Sequence, residues 1–419
     1  MDHFEYRGGE LHCEDVPLSR IADEVGTPVY VYSRATLERH ARVFSDAVAP
    51  AGNVDVAFAL KSNPNLAVLK VLSRMGLGAD VVSGGELDRA LAAGMTADRI
   101  VFSGVGKTDA EMTHALQTGI GQFNIESEEE GRDLAALAAA RGQRAPATLR
   151  VNPDVDAGTH AKISTGKAEN KFGVAISDAP DIFARLAALP GLNLRGIALH
   201  IGSLIADLAP MEAAFTRVGR LVADLRTAGL TITHVDLGGG LGVPYRPGDI
   251  LPSPDDYGVM VARVTRGWGV KLMFEPGRVI CGNAGVLLTR VIRVKPGATH
   301  PFVIVDAAMN DLARPALYDA YHHFQPVIDS DVEMVANIVG PVCESGDTFA
   351  MAREIGGVKQ GDLAVFRTAG AYGATMASTY NSRAMVPEVL VDGDRYAVVA
   401  DRIPAAVIMG AERVPEWLE

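Results

Sequence analysis

The chain has 419 residues, with 39 Lys and Arg against 51 Asp and Glu for a net charge of -12, and is 48% hydrophobic and 21% charged. That length exceeds what one core ordinarily supports, the hydrophobic share excludes disorder, and the acidic balance without any basic run excludes a nucleic-acid surface. No stretch reaches about 18 apolar residues, and the opening "MDHFEYRGGELHCED" lacks the apolar core of a signal peptide, so no membrane association and a cytoplasmic location are expected. Cys13, Cys281 and Cys343 are far apart, odd in number and without C-x-x-C spacing. This argues against a disulfide framework and a zinc site, predicts no metal, and leaves room for a working thiol.

In chain order, the strand-like "TPVYVYS" at 27–33 comes first, and residues 1–32 are expected to pair with a later β domain. Eight short apolar runs follow: "VDVAFAL", "GLGADVVS", "DRIVFSG", "IGQFNIE", "ATLRVNP", "LRGIALHIG", "THVDLGGG" and "VKLMFEP". Helix-period stretches such as "NLAVLKVLSRMG" and "EEEGRDLAALAAARG" lie between them, and several stop at Gly. Eight alternating units predict an α/β fold, a (β/α)8 barrel over residues 33–280. From 281 to 419 the pattern changes to alternating β-branched runs, "GVLLTRVIRVK", "PFVIVDAAMN", "DVEMVANIVG", "DLAVFRTAG" and "RYAVVADR", which predict a mostly antiparallel β domain.

Barrel enzymes place their chemistry at the C-terminal ends of the strands, and "FALKSNPN" puts Lys61 at the end of the first. Lys61 is either the first solvated residue of a loop or a semi-buried amine, titrating low enough to form a Schiff base with an aldehyde cofactor. Such a cofactor needs a phosphate site. "DLGGGLG", Asp236 to Gly242, follows the seventh strand, where backbone N–H groups of glycines can approach an anion; a plain flexible turn is the alternative. The string "VFSGVGKT" ends like a P-loop but has Val101 where the pattern requires glycine, so it reads as a barrel loop. "HIGS" ends the sixth strand with His200, either a packed histidine or a flat ring for stacking. "EPGR" ends the eighth with Glu275 and Arg278, either a surface ion pair or partners for a ring nitrogen and a carboxylate. Asp80 in "GLGAD" either orients Lys61 or caps the next helix.

Together with "ADVVSGGEL", "FSGVGKTDAEM", "ISTGKAENKFG", "MNDLARPALYDAYH", "CESGD" and "AGAYG", these motifs occur in an order that resembles the diaminopimelate decarboxylases over nearly the whole chain. The resemblance implies an alanine-racemase-like, pyridoxal 5'-phosphate-dependent enzyme with a cofactor-binding barrel, a C-terminal β domain and a homodimer sharing two active sites. It implies that Lys61 is the Schiff-base lysine, that His200 lies against the cofactor ring and that Glu275 meets the pyridine nitrogen. Asp80, Ser203, the backbone of Gly238, Gly239 and Gly240, Gly277 and Arg278 of "EPGR", and Tyr372 complete the cofactor site. Arg278, Arg314, Tyr318, Glu344 and Tyr372 are implied at the substrate, with Cys343 and Glu344 supplied by the partner subunit. Ala308 and Leu204 depart from the commoner family residues, and neither carries an assigned role.

The chemistry is consistent with this resemblance. Pyridoxal phosphate stabilises a carbanion when its ring nitrogen is protonated, which a carboxylate at 275 favours. Cys343, with an ordinary thiol pKa of about 8.5, is the candidate proton donor after loss of CO2, and Glu344 beside it disfavours thiolate; its alternative is a small packing residue. Two arginines suited to a carboxylate, with an acidic residue for an ammonium, describe meso-diaminopimelate, whose decarboxylation yields L-lysine in the final step of lysine biosynthesis. The alternatives are a decarboxylase of ornithine, arginine or lysine, a racemase, which needs a second base opposite Lys61, and a non-catalytic pyridoxal-phosphate-binding decoy.

Overall fold

A computed structural model describes residues 2–156, 158, 166 and 170–418; in "ISTGKAENKFG", residues 163–165 and 167–169 lie outside the described residues. The chain divides into two units, one formed by Glu38–Val243 and Ile250–Ile280, the other by Met1–Leu37, Pro244–Asp249 and Cys281–Glu419.

The first unit is a closed parallel barrel. Its strands are β1 (Val54–Ala59), β2 (Gly78–Val81), β3 (Ile100–Phe102), β4 (Gln122–Ile125), β5 (Ala145–Asn152), β6 (Leu192–Ala198), β7 (His234–Asp236) and β8 (Lys271–Phe274). Each pairs in parallel with the next, and β8 returns to β1. All eight runs read from the sequence supply these strands. Most are short and apolar because a parallel strand covered by helices outside and side chains inside meets little water; β2, β3 and β4 are buried at every residue. The helices between them begin at side chains that satisfy free N–H groups. Asn65 accepts from Ala67 N, Ser83 from Glu86 N and Ser127 from Glu130 N, while Thr108 and Glu111 form a reciprocal capping box. Each cap contributes about 1 kcal/mol and fixes where a strand-end loop stops.

The second unit is a mostly antiparallel sheet. Its order runs Thr348–Gly356, Glu333–Val339, Phe302–Val305, Gly285–Lys295, Val29–Ser33, Glu388–Asp392, Arg395–Ala400, with Leu363–Phe366 also on Gly285–Lys295. Two pairings are parallel, Phe302–Val305 with Glu333–Val339 and Val29–Ser33 with Glu388–Asp392. The early segment Val29–Ser33 is buried throughout and lies between strands contributed some 250 and 350 residues later. Its valines join Leu11, Cys13, Val16, Val286, Leu288, Val365 and Val389 in one apolar cluster.

Candidate active site

In the barrel unit, Lys61 occupies a single 3-10 turn, Leu60–Ser62, that directly follows β1. Its Nζ donates to Asp80 Oδ2 at 2.9 Å; the lysine side chain keeps 35% of its exposure and the aspartate none. Ser83 caps the following helix, so Asp80 serves the lysine. Among the described residues, the other Asp80 oxygen, Oδ1, is buried without a hydrogen-bond partner. Lys61 is thus held as one member of an ion pair, not by apolar burial alone.

The turn after β7 is shaped by contacts that only glycine permits. Gly238 has φ +65° and Gly240 φ +118°, in the left-handed region. A Cβ on Gly239 would stand 2.2 Å from the Glu275 carbonyl oxygen, and one on Gly240 would stand 2.4 Å from that of Gly202. Asp236 Oδ1 accepts from Gly238 N at 2.9 Å and closes the turn. Gly239 N donates to His200 Nδ1 at 3.2 Å, so Nδ1 carries no proton, and a neutral ring has its proton on Nε2. Burial, with the positive charges of Lys61 and Arg150, holds His200 well below its ordinary titration range and keeps the ring uncharged.

Arg278 is buried in the first turn after β8, and its Nε and Nη2 donate to Ser203 Oγ at 3.4 and 3.2 Å. Gly277 packs against Ser62, whose Cβ a side chain would meet at 3.0 Å. Burial pushes the Glu275 carboxyl well up, and the negative charges of Asp236 and Asp80 push it further while Lys61 lowers it. The side chain accepts from Ser103 Oγ at 3.3 Å and Asn124 Nδ2 at 3.2 Å.

Lys107, from the P-loop-like string, is turned inward. Its Nζ donates to the carbonyls of Gly104 and Asn124 at 2.7 and 2.8 Å and to Glu130 Oε1 at 2.7 Å, with 1% of the side chain exposed. This lysine staples a loop and has no donor left for an anion.

In the sheet unit, Arg314 opens the short helix Arg314–Tyr318 and is buried. Its Nη1 donates to His322 Nε2 at 2.9 Å, and its guanidinium lies over the Tyr245 ring, 4.7 Å from the centroid. His322 Nδ1 donates in turn to the Arg367 carbonyl at 2.9 Å. Tyr318 is half-buried at the end of the same helix, and Tyr372 holds φ +56° in "AGAYG". Cys343 and Glu344 are exposed; Cys343 N donates to Asn381 Oδ1 at 3.0 Å, and Tyr380 hydrogen-bonds Glu344. His322, Tyr245, Asn381, Tyr380 and the polar groups around Glu275 escaped the sequence reading.

Residues 34–282 match the pyridoxal-binding domain of pyridoxal-dependent decarboxylases, which sets the class of the barrel. The chain is 53% identical to diaminopimelate decarboxylase of Zymomonas mobilis over 100% of both sequences. It is 51% identical to that of Pseudomonas fluorescens over 98% of this chain and 99% of the relative. The crystal structure of diaminopimelate decarboxylase from M. jannaschii in complex with L-lysine superposes with a TM-score of 0.95 at 33% identity, covering 100% of this chain and 99% of that one. The chain belongs to the diaminopimelate decarboxylase family.

The cofactor of that class is pyridoxal phosphate, and the barrel residues suit it. A paired amine, an uncharged flat ring, a glycine turn, a buried guanidinium and a buried carboxyl match in kind its aldehyde, ring face, phosphate and pyridine nitrogen.

Proposed function

We infer that the chain is a carboxy-lyase that decarboxylates meso-diaminopimelate at its D-configured centre to L-lysine and carbon dioxide. The observation that carries the reading is the Lys61–Asp80 pair at the end of β1 in a chain 53% identical over full length to a diaminopimelate decarboxylase.

Bound pyridoxal phosphate supplies an electron sink for the pair left on the α-carbon when carbon dioxide departs. Lys61 would offer the amine for the aldehyde, and Asp80 holds that nitrogen in place. His200 presents its neutral ring to the cofactor face, with the plane set by the bond from Gly239. The Gly238, Gly239 and Gly240 turn would line the phosphate, the N–H groups of Gly238 and Gly239 being engaged by Asp236 and His200, joined by Ser203, Gly277, Arg278 and the Tyr372 hydroxyl. Glu275, whose carboxyl burial pushes well up, would meet the pyridine nitrogen.

Arg314, Arg278, Tyr318 and Tyr372 recognise substrate carboxylate, and Glu344 takes the distal ammonium. The buried stack of Arg314 on Tyr245 and its bond to His322 support this role, because a guanidinium already fixed loses little entropy on binding. Cys343 returns a proton to the α-carbon. Exposure of Cys343 and Glu344 on their own unit supports their service to a second copy's site, hence a homodimer. A thiol that must stay reduced to donate a proton favours the cytoplasm. Among the described residues no helix is long and apolar enough to cross a membrane.

The purified protein with pyridoxal phosphate, offered meso-diaminopimelate, lysine, ornithine and arginine in turn, is expected to release carbon dioxide and form L-lysine from the first alone. Turnover of ornithine without turnover of diaminopimelate would overturn the reading.

A further inference from the structure

Inside the barrel, a layer of polar side chains joins opposite strands. Gln122 and Asn124 lie two residues apart on β4 and so share a face; Thr148 is on β5, Asp236 on β7, and Ser103 and Glu275 follow β3 and β8. Asn124 Nδ2 bridges two carboxyls, donating to Asp236 Oδ2 at 3.1 Å and to Glu275 Oε1 at 3.2 Å. Gln122 Nε2 adds a bond to Asp236 Oδ2 at 3.2 Å. Thr148 Oγ1 and Gln122 Nε2 both donate to Asn124 Oδ1, which fixes the amide so that its nitrogen faces the carboxyls.

Asn124 Nδ2 brings Asp236 Oδ2 and Glu275 Oε1 onto one nitrogen in a buried layer, where two like charges side by side are unfavourable and one proton on the pair relieves them. Counting donors decides where it sits. Asp236 receives three N–H groups, from Gln122, Asn124 and Gly238, whereas Glu275 receives Asn124 and the weaker Ser103 hydroxyl. Asp236, with more donors, keeps the charge and Glu275 keeps the proton.

We propose that Asp236 is a positioning residue for the cofactor ring, acting through Glu275: the pair stores one proton, and the pyridine nitrogen receives it from the Glu275 hydroxyl. The transfer leaves a pyridinium facing two carboxylates, with no proton drawn from water. Asp80 and Lys61 are the other charged groups acting on Glu275, and Asp80 also acts on Asp236, beside which the neutral Tyr257 lies. Burial pushes both acids up, Glu275 further through the charges of Asp236 and Asp80 and Asp236 through that of Asp80, in the same sense as the geometry.

The inference rests on the cofactor reading above but not on which amino acid is decarboxylated. Holoprotein loaded with ring-15N pyridoxal phosphate is followed by its nitrogen resonance against pH. The wild-type nitrogen should stay protonated through the neutral range, while in Asp236→Asn it should titrate about one to three pH units lower. Wild-type full chain without cofactor should show an infrared protonated-carboxyl band at neutral pH that disappears when pyridoxal phosphate is added, a measurement that needs no variant to fold. Coincident wild-type and Asp236→Asn nitrogen profiles, or no such band, would overturn this inference alone; a wild-type protein that takes up no pyridoxal phosphate would overturn the cofactor reading with it.

Discussion

The barrel and the sheet unit treat their candidate residues differently. In the barrel, Lys61, Asp80, His200, Glu275 and Arg278 each have an identified partner from another strand end or turn of the same unit, so closing the barrel assembles them. In the sheet unit Arg314 is fixed in a similar way, by His322 and Tyr245, while Cys343 and Glu344, bonded to Asn381 and Tyr380, stand exposed. One chain folding on its own therefore assembles the barrel residues, whereas the groups proposed for proton return and ammonium recognition lie exposed on their unit.

The sharpest way to break that contrast is to remove one group from each side. Lys61→Ala should lower turnover by about 10^3-fold or more and abolish the visible absorbance of the linked cofactor, read by steady-state assay and spectrum. Cys343→Ala should lower kcat by about 10^2- to 10^4-fold with that absorbance intact. Mixing the two variants should restore about a quarter of wild-type activity if each site borrows Cys343 from a second copy, through statistical pairing in a two-fold dimer. No recovery on mixing would place both groups in one chain's own site.

Smaller effects probe how rigid the barrel end is. Gly239→Ala places a methyl 2.2 Å from a backbone oxygen and should destabilise the fold by about 1–3 kcal/mol, measured by urea unfolding, with weaker cofactor uptake. The mildest expected change concerns Glu86, which burial pushes from 4.5 up to about 7 although Val82 N donates to it. A raised folded pKa means that the native state holds a proton the unfolded chain releases. Its stabilising share is complete below 4.5 and lost as pH rises through about 7. Glu86→Gln should remove that slope, gaining about 1–2 kcal/mol over wild type at high pH relative to acid pH, as read by unfolding at both ends of the window.

The barrel was legible because each strand is a short apolar run bounded by a helix start or a glycine, a pattern that packing on both faces enforces. The sheet unit was read less completely. Thr348–Gly356 is an end strand carrying exposed Met351 and Ala352, so its pattern does not alternate cleanly. The small sheet Phe4–Arg7, Glu10–Cys13 and Val16–Pro17 consists of pieces too short for a period to register. At the site, Lys61 and the glycine turn stood out because each interrupts an apolar strand. Gln122 and Asn124 did not, although two amides on one face of a fully buried strand were a signal that interior polar groups needed partners. His322 and Tyr245 were illegible for another reason: they reach Arg314 through folding, from positions 8 and 69 residues away in the chain.

The inward-turned Lys107 has a practical corollary for anyone mapping this surface chemically. With three acceptors around its nitrogen and almost no exposure, it should resist acylating reagents that reach other amines, and it offers an internal reference. Loss of labelling at Lys61 on cofactor loading could then be scored against a residue whose silence reports only that the protein is folded.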